Sequence, residues 1–159
     1  MTRKDLPFQP WGLKAIAEGK KTLTSRCSGL AAVNKNPDEW VLMDCLCDAF
    51  GIVRARFGSL KESSKEVMCE CPWRLSRVYP PANVLVTGII AKRVQDMTEE
   101  DLRAEGFPTE WCDCGLPDCG NHKDGKWDFI KVWDSIHRRD VNNRYNRNPW
   151  TFRLSVRKT

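Results

Sequence analysis

The hydrophobic pattern along this chain changes period several times, and each change marks an element. Pro10 to Gly19 predicts a short helix, with Pro early, Gly at the stop, and Trp11 and Leu13 to Ile16 giving an apolar side. From Gly29 to Glu39 the residues Asn34, Asn36, Pro37 and Asp38 predict a loop. Trp40 to Cys47 then predicts a strand, and Phe50 to Phe57 its hairpin partner. Residues 58 to 66 are polar and predict an exposed loop, and Cys69 to Pro81 predicts an irregular stretch. Val84 to Val94, rich in β-branched residues, is the clearest strand. A helix start follows at Met97 to Leu102: Thr98 as N-cap, Glu99 and Glu100 favourable to the helix dipole, Met97 with Leu102 as a hydrophobic staple, and Gly106 as the stop. Trp127 to His137 predicts a second amphipathic helix, with Phe129, Ile130, Trp133 and Ile136 at three-to-four-residue spacing. Asn142 to Pro149 forms turns, and Trp150 to Val156 is a closing strand. No internal repeat is present. The order of helix, strands, two helices and strand predicts an α+β chain whose strands close a small mixed barrel.

The chain has 159 residues, enough for one substantial core and too few for two ordinary domains. With 41% hydrophobic and 30% charged residues, the composition excludes a disordered chain. The net charge of +5 favours polyanionic partners and equally fits ordinary solubility. Arg138, Arg139, Arg144 and Arg147, followed by Arg153, Arg157 and Lys158, predict a basic patch near the C-terminal end. Arg3 and Lys4 precede no apolar run, so neither a secretory signal nor a membrane span is expected, and the predicted location is cytoplasmic. In such a compartment eight cysteines predict thiols and metal ligands in place of disulfides.

The cysteines fall into groups. Cys112, Cys114, Cys119 and His122 form a C-x-C-x4-C-x2-H cluster with Gly and Pro at the bends. Soft thiolates and an imidazole within eleven residues fit a closed tetrahedral structural zinc site, here a staple on an insertion at about 107–126. The alternative is a loop of free thiols. Cys45 with Cys47 and Cys69 with Cys71 repeat the C-x-C spacing, which on a strand puts both side chains on one face; they suit either a second four-thiolate site or ordinary buried thiols. Cys27 has no His or acidic neighbour in sequence to activate it.

Candidate chemistry concentrates between Gly19 and Arg26. A Lys21 whose ammonium is desolvated can act as base toward the hydroxyl of Thr24, which would attack an acyl carbon. Arg26 offers a planar fork for a carboxylate, a phosphate or a base edge, and Glu105 can carry a proton or orient a substrate. The bland reading of the same run is a solvated strand edge. Of seven tryptophans, Trp11, Trp40, Trp73 and Trp150 lie beside loops where an indole can stack on a base, Trp11 first among them, whereas Trp133 reads as core.

The run Gly19-Lys20-Lys21-Thr22-Leu23-Thr24-Ser25-Arg26 after a short helix resembles the G-(R/K)-K-T-x-T-x-R signature of ASCH domains. The segments Val94 to Gly106, Trp133 to Ile136 and Asn148-Pro149-Trp150 follow in the order of the phage and prophage branch. This resemblance spans residues 8 to 157, loosely over 27–80 and 108–126. It implies a PUA-like barrel flanked by helices, with a cleft lined by the Lys-Thr-x-Thr-x-Arg segment and suited to RNA or a modified nucleobase, Thr22 and Arg26 being the expected ligand contacts there beside the stacking candidate Trp11. It also implies an alternative: an amidohydrolase removing the acyl group of N4-acylcytidine-type nucleosides with Lys21, Thr24 and Glu105. Ribonuclease activity is compatible as well, since one fold hosts several chemistries.

Overall fold

A computed structural model describes residues 5–110, 115 and 123–159. The first helix, α1 (Pro10–Ala17), begins at a proline, whose missing N–H would have had no intrahelical partner. Gly19, at φ +73°, turns the chain out of it toward β1 (Leu23–Arg26). A short α2 (Ala31–Asn34) precedes a meander of β2 (Trp40–Cys47), β3 (Val53–Ser59) and β4 (Glu66–Glu70). After β5 (Val78–Tyr79) come β6 (Val84–Arg93), α3 (Glu99–Ala104), α4 (Gly125–Ile136) and β7 (Trp150–Lys158).

The described strands form two antiparallel sheets, β1-β7-β6-β5 and β2-β3-β4. Alternation along each strand points one row inward. Val53, Ala55 and Phe57 of β3 meet Val84, Val86 and Ala91 of β6 and Phe152, Leu154 and Val156 of β7 in one core, closed by Leu6, Leu30, Trp73 and Tyr79. The result is α+β, a curled antiparallel half-barrel with few helices. The expected mixed barrel is corrected in this respect: every pairing between the described strands is antiparallel, so none of them needs a parallel crossover.

Strand β1 lies between this core and a smaller one. Thr24 and Arg26 pair across from Leu154 and Phe152, whose side chains belong to the main core. Cys27 joins Val94, Leu102, Phe129 and Trp133 in the second cluster, which seats α3 and α4. Helix α3 carries the predicted cap in full: Thr98 Oγ1 accepts from the Asp101 N–H at 3.1 Å, and Asp101 Oδ2 accepts from the Thr98 N–H at 3.0 Å. Arg153, 2% exposed, donates to Asp101 Oδ2 at 3.1 Å and to the Arg93 carbonyl at 2.9 Å, fastening α3 to β7.

Several sequence expectations need correction. The stretch 29–39 contains α2 and a turn of 3-10 helix at Pro37–Glu39, because Asn34 uses its side chain to bond both backbone groups of Trp150. The irregular stretch 69–81 contains the end of β4 and the short β5. Trp73 and Trp150 are buried and unavailable for stacking; their indole N–H groups donate to the Asp5 and Pro37 carbonyls. Arg153 leaves the predicted basic patch for the interior. On α4 the apolar face is Phe129 and Trp133, and Ile136 stays exposed.

A methyl group at Gly125 would run into the Phe107 carbonyl, whereas one at Gly19 would meet nothing within 4 Å. Gly125→Ala is therefore expected to cost about 1–3 kcal/mol in urea unfolding. Gly19→Ala should cost about 1 kcal/mol, from its left-handed backbone alone.

Candidate functional site

A cavity of about 730 Å³ opens beside β1, between α1, the end of α3 and the inner face of α4. That volume lies within the range of small-molecule sites. Lys21, Thr24, Arg26 and Glu105 all line it, so the fold gathers four of the sequence candidates in one place. Trp11 lines it as well, partly exposed. Thr22 does not; its side chain is exposed, because its N–H and C=O are held by the Ala104 carbonyl and the Val156 N–H on the way into β1. Thr22 thus stands outside the wall of this cavity.

Lys21 and Glu105 form a buried ion pair with each side chain 5% exposed. Lys21 Nζ donates to Glu105 Oε2 at 2.9 Å, to the Glu105 carbonyl at 2.7 Å and to the Leu23 carbonyl at 2.9 Å. All three ammonium protons are thus used. Burial pulls the Lys21 pKa below its ordinary value; the Glu105 carboxylate opposes this, and Arg26 adds to it. Glu105 Oε1 is buried and has no hydrogen-bond partner among the described residues. An unsatisfied buried carboxylate oxygen is costly.

Thr24 is buried and its Oγ1 accepts from Arg26 Nε at 3.1 Å. Arg26 also donates to the Pro7 carbonyl at 2.7 Å and lies 5.0 Å from the Phe8 ring and 5.9 Å from the Trp73 ring. Its fork is therefore already oriented before a ligand binds. The Cys27 thiol lines the cavity too, but burial pushes its pKa up, so it is held as a thiol and not as a nucleophile.

The opposite wall is a row of rings that pattern reading did not assemble. Trp11 meets Phe107 at 5.2 Å between centroids, Phe107 meets Phe129 at 5.5 Å, Phe129 meets Trp133 at 5.6 Å, and Trp133 meets His137 at 4.6 Å. All five residues line the cavity. The signal for its last members was the four-residue spacing of Phe129, Trp133 and His137 on one helix face. Phe107 gave no such signal, since it follows Gly106, whose φ of +99° turns the chain back toward Trp11.

Cys112, Cys114, Cys119 and His122 lie outside the described residues. On either side of them, Glu110 and Lys123 pair through their backbones at 2.8 and 2.7 Å. Among the described residues no three or more His, Cys, Asp or Glu side chains are placed to hold a metal. Cys45, Cys47, Cys69 and Cys71 are free thiols, with Cys47 exposed at a strand end and burial raising the Cys71 pKa to about 12. Among the described residues no helix is long and apolar enough to cross a membrane. No protein-family model, no curated protein and no solved structure matches the chain.

Removing one partner of the buried pair strands the other charge, so Lys21→Met and Glu105→Leu should each destabilise by about 3–5 kcal/mol, and the double variant by far less. The pH dependence has a definite sign. Between the lowered Lys21 value and 10.5 the folded state binds fewer protons than the unfolded chain, so stability from this group rises with pH across that window. Urea unfolding as a function of pH should show this rise in the wild type and not in the double variant.

Proposed function

We propose that the chain is a nucleobase- or nucleoside-recognising domain of the ASCH type in the PUA-like fold group, taking its ligand in the cavity beside β1. The observation that carries this reading is the buried Lys21–Glu105 pair with an unpartnered Glu105 Oε1, set between an oriented Arg26 and a wall of aromatic rings. A base edge presents an exocyclic N–H to the free carboxylate oxygen, acceptors to Arg26, and a flat face to Trp11. The half-barrel and its flanking helices are compatible with that fold group. A single nucleoside and a base flipped from an RNA strand are both within this chemistry.

Trp11→Ala should weaken binding of N4-acetylcytidine by about 1–3 kcal/mol, the worth of one stacked base, in a tryptophan-fluorescence or calorimetric titration. Arg26→Ala should weaken it more than Lys61→Ala or Lys65→Ala, whose side chains sit in an exposed hairpin and pair with Glu39 and Glu62. Equal losses at all sites would mean diffuse attraction and no cavity site.

A second reading, amide hydrolysis on an N4-acylated cytidine, is favoured by the same pair. In this reading Lys21 gives up a proton to Glu105 Oε2 over 2.9 Å, a loss that burial of the ammonium favours. The amine then takes the Thr24 proton as the hydroxyl oxygen bonds to the acyl carbon; the exocyclic nitrogen leaves with a proton, and water releases the acid from Thr24. Lys21 Nζ makes no hydrogen bond to Thr24 here, so this reading requires Lys21 to turn toward Thr24 once its proton is given up. Thr24→Ala and Lys21→Ala should abolish release of cytidine, and Thr24→Ser should retain part of it. Turnover by Thr24→Ala equal to wild type would leave only the binding role.

The Cys112, Cys114, Cys119 and His122 set is proposed as a structural zinc site, on ligand type and spacing and on the backbone pairing of Glu110 with Lys123 on either side of it. The purified protein should carry about one zinc per chain, and the Cys112→Ser, Cys119→Ser variant should lose it. Unchanged metal content would overturn the assignment.

A further inference from the structure

The cavity has a second end. Past Arg26 the wall is built by the last turn of α4 and the residues after it, with His137, Asp140 and Asn142 all lining the same space as Lys21 and Glu105. His137 is half-buried against the Trp133 ring and makes no side-chain hydrogen bond among the described residues. Asp140 accepts from Asn143 Nδ2 at 2.7 Å through Oδ2, which leaves Oδ1 uncommitted among the described residues. The two ends are joined by the aromatic row that runs from Trp11 to His137.

The chemistry of the ends differs. At the first, a charged pair and a guanidinium suit a polar planar edge. At the second, a carboxylate, an imidazole and a carboxamide lie together. Burial lowers the His137 pKa, the carboxylates of Asp140 and Asp134 oppose this, and Arg26 adds to it, so the ring is held toward its neutral donor-acceptor form. A carboxylate repels phosphate and accepts O–H, and a neutral imidazole both gives and takes a hydrogen bond. Such a set recognises hydroxyl groups, and a vicinal pair of them best.

We propose that Asp140 and His137 form a ribose subsite: they bind the 2′- and 3′-hydroxyls of the nucleoside whose base is held at Lys21, Glu105 and Arg26, and so make the cavity select ribonucleosides over deoxyribonucleosides. This rests on the nucleoside reading above. The 2′-hydroxyl is the group that separates the two ligand classes, and a charge-assisted hydrogen bond to it is enough to discriminate.

The test is a pair of calorimetric titrations, N4-acetylcytidine against N4-acetyl-2′-deoxycytidine, on the full chain. Wild type should bind the ribonucleoside about tenfold tighter. Asp140→Asn and His137→Ala should bring that ratio toward one by weakening the ribonucleoside more than the deoxynucleoside, which keeps only its 3′-hydroxyl, a readout that mere damage to the fold would not give. Equal binding of both ligands by wild type overturns the ribose subsite and leaves the nucleoside reading standing. So does an equal loss for both ligands in the two variants. Binding of neither ligand by wild type overturns the subsite together with the reading on which it rests.

Discussion

One ammonium group organises the region around the cavity. Lys21 Nζ, on a largely buried side chain, is bound by the Leu23 carbonyl at the start of β1 and by the carbonyl and carboxylate of Glu105 just past α3. Two further backbone bonds, from Thr22 to Ala104 and from Val156 to Thr22, hold the same junction of β1, α3 and β7. A buried pair of this kind contributes little stability beyond what apolar residues of similar size would give. Its effect is on position and on protons: it fixes the end of α3 against the cavity and keeps a lysine where giving up its charge is relatively easy.

A second buried cation supports the other end of the same helix. Arg153 on β7 reaches Asp101, which also accepts from the N–H of the α3 cap residue Thr98, so one carboxylate serves the helix start and the sheet together. The Arg153 pKa is lowered by burial and held up by Asp101 and Glu105. An ion pair thus pins α3 at each end, and its apolar anchor, Leu102, lies in the smaller core. This short helix acts as a strut between β7 and the cavity.

The aromatic row gives the cavity its shape. Trp11 comes from α1, Phe107 from the turn after α3, Phe129 and Trp133 from α4, and His137 from its C-terminal cap. Contacts between successive rings hold them, helped by the Trp133 indole N–H donating to the Asn143 carbonyl at 2.7 Å, and Arg26, Glu105 and Asp140 supply polar groups to the same cavity. The separation of a flat apolar wall from a few oriented polar groups is the arrangement that lets a ligand be both stacked and read.

Local signals in the sequence determined much of this. The span of β2, the Thr98 cap with its acidic first turn, the early proline of α1 and the face of α4 that carries Phe129 and Trp133 all follow from periodicity and capping within a few residues. The run from Lys21 to Arg26 was legible as candidate chemistry because its residue types and spacing are unusual together. What the tertiary structure alone decided is which polar groups leave water. Glu105 was a candidate by residue type alone, and only the fold buries it against a lysine 84 positions away. Thr22 belongs to the same run as Thr24 and faces outward, while Arg153 sits among surface arginines in sequence and is enclosed in the fold. Helix period and caps are set by neighbours along the chain. Burial of a charge is set by which distant strand closes over it, and desolvation depends on that closure and on nothing nearer in sequence.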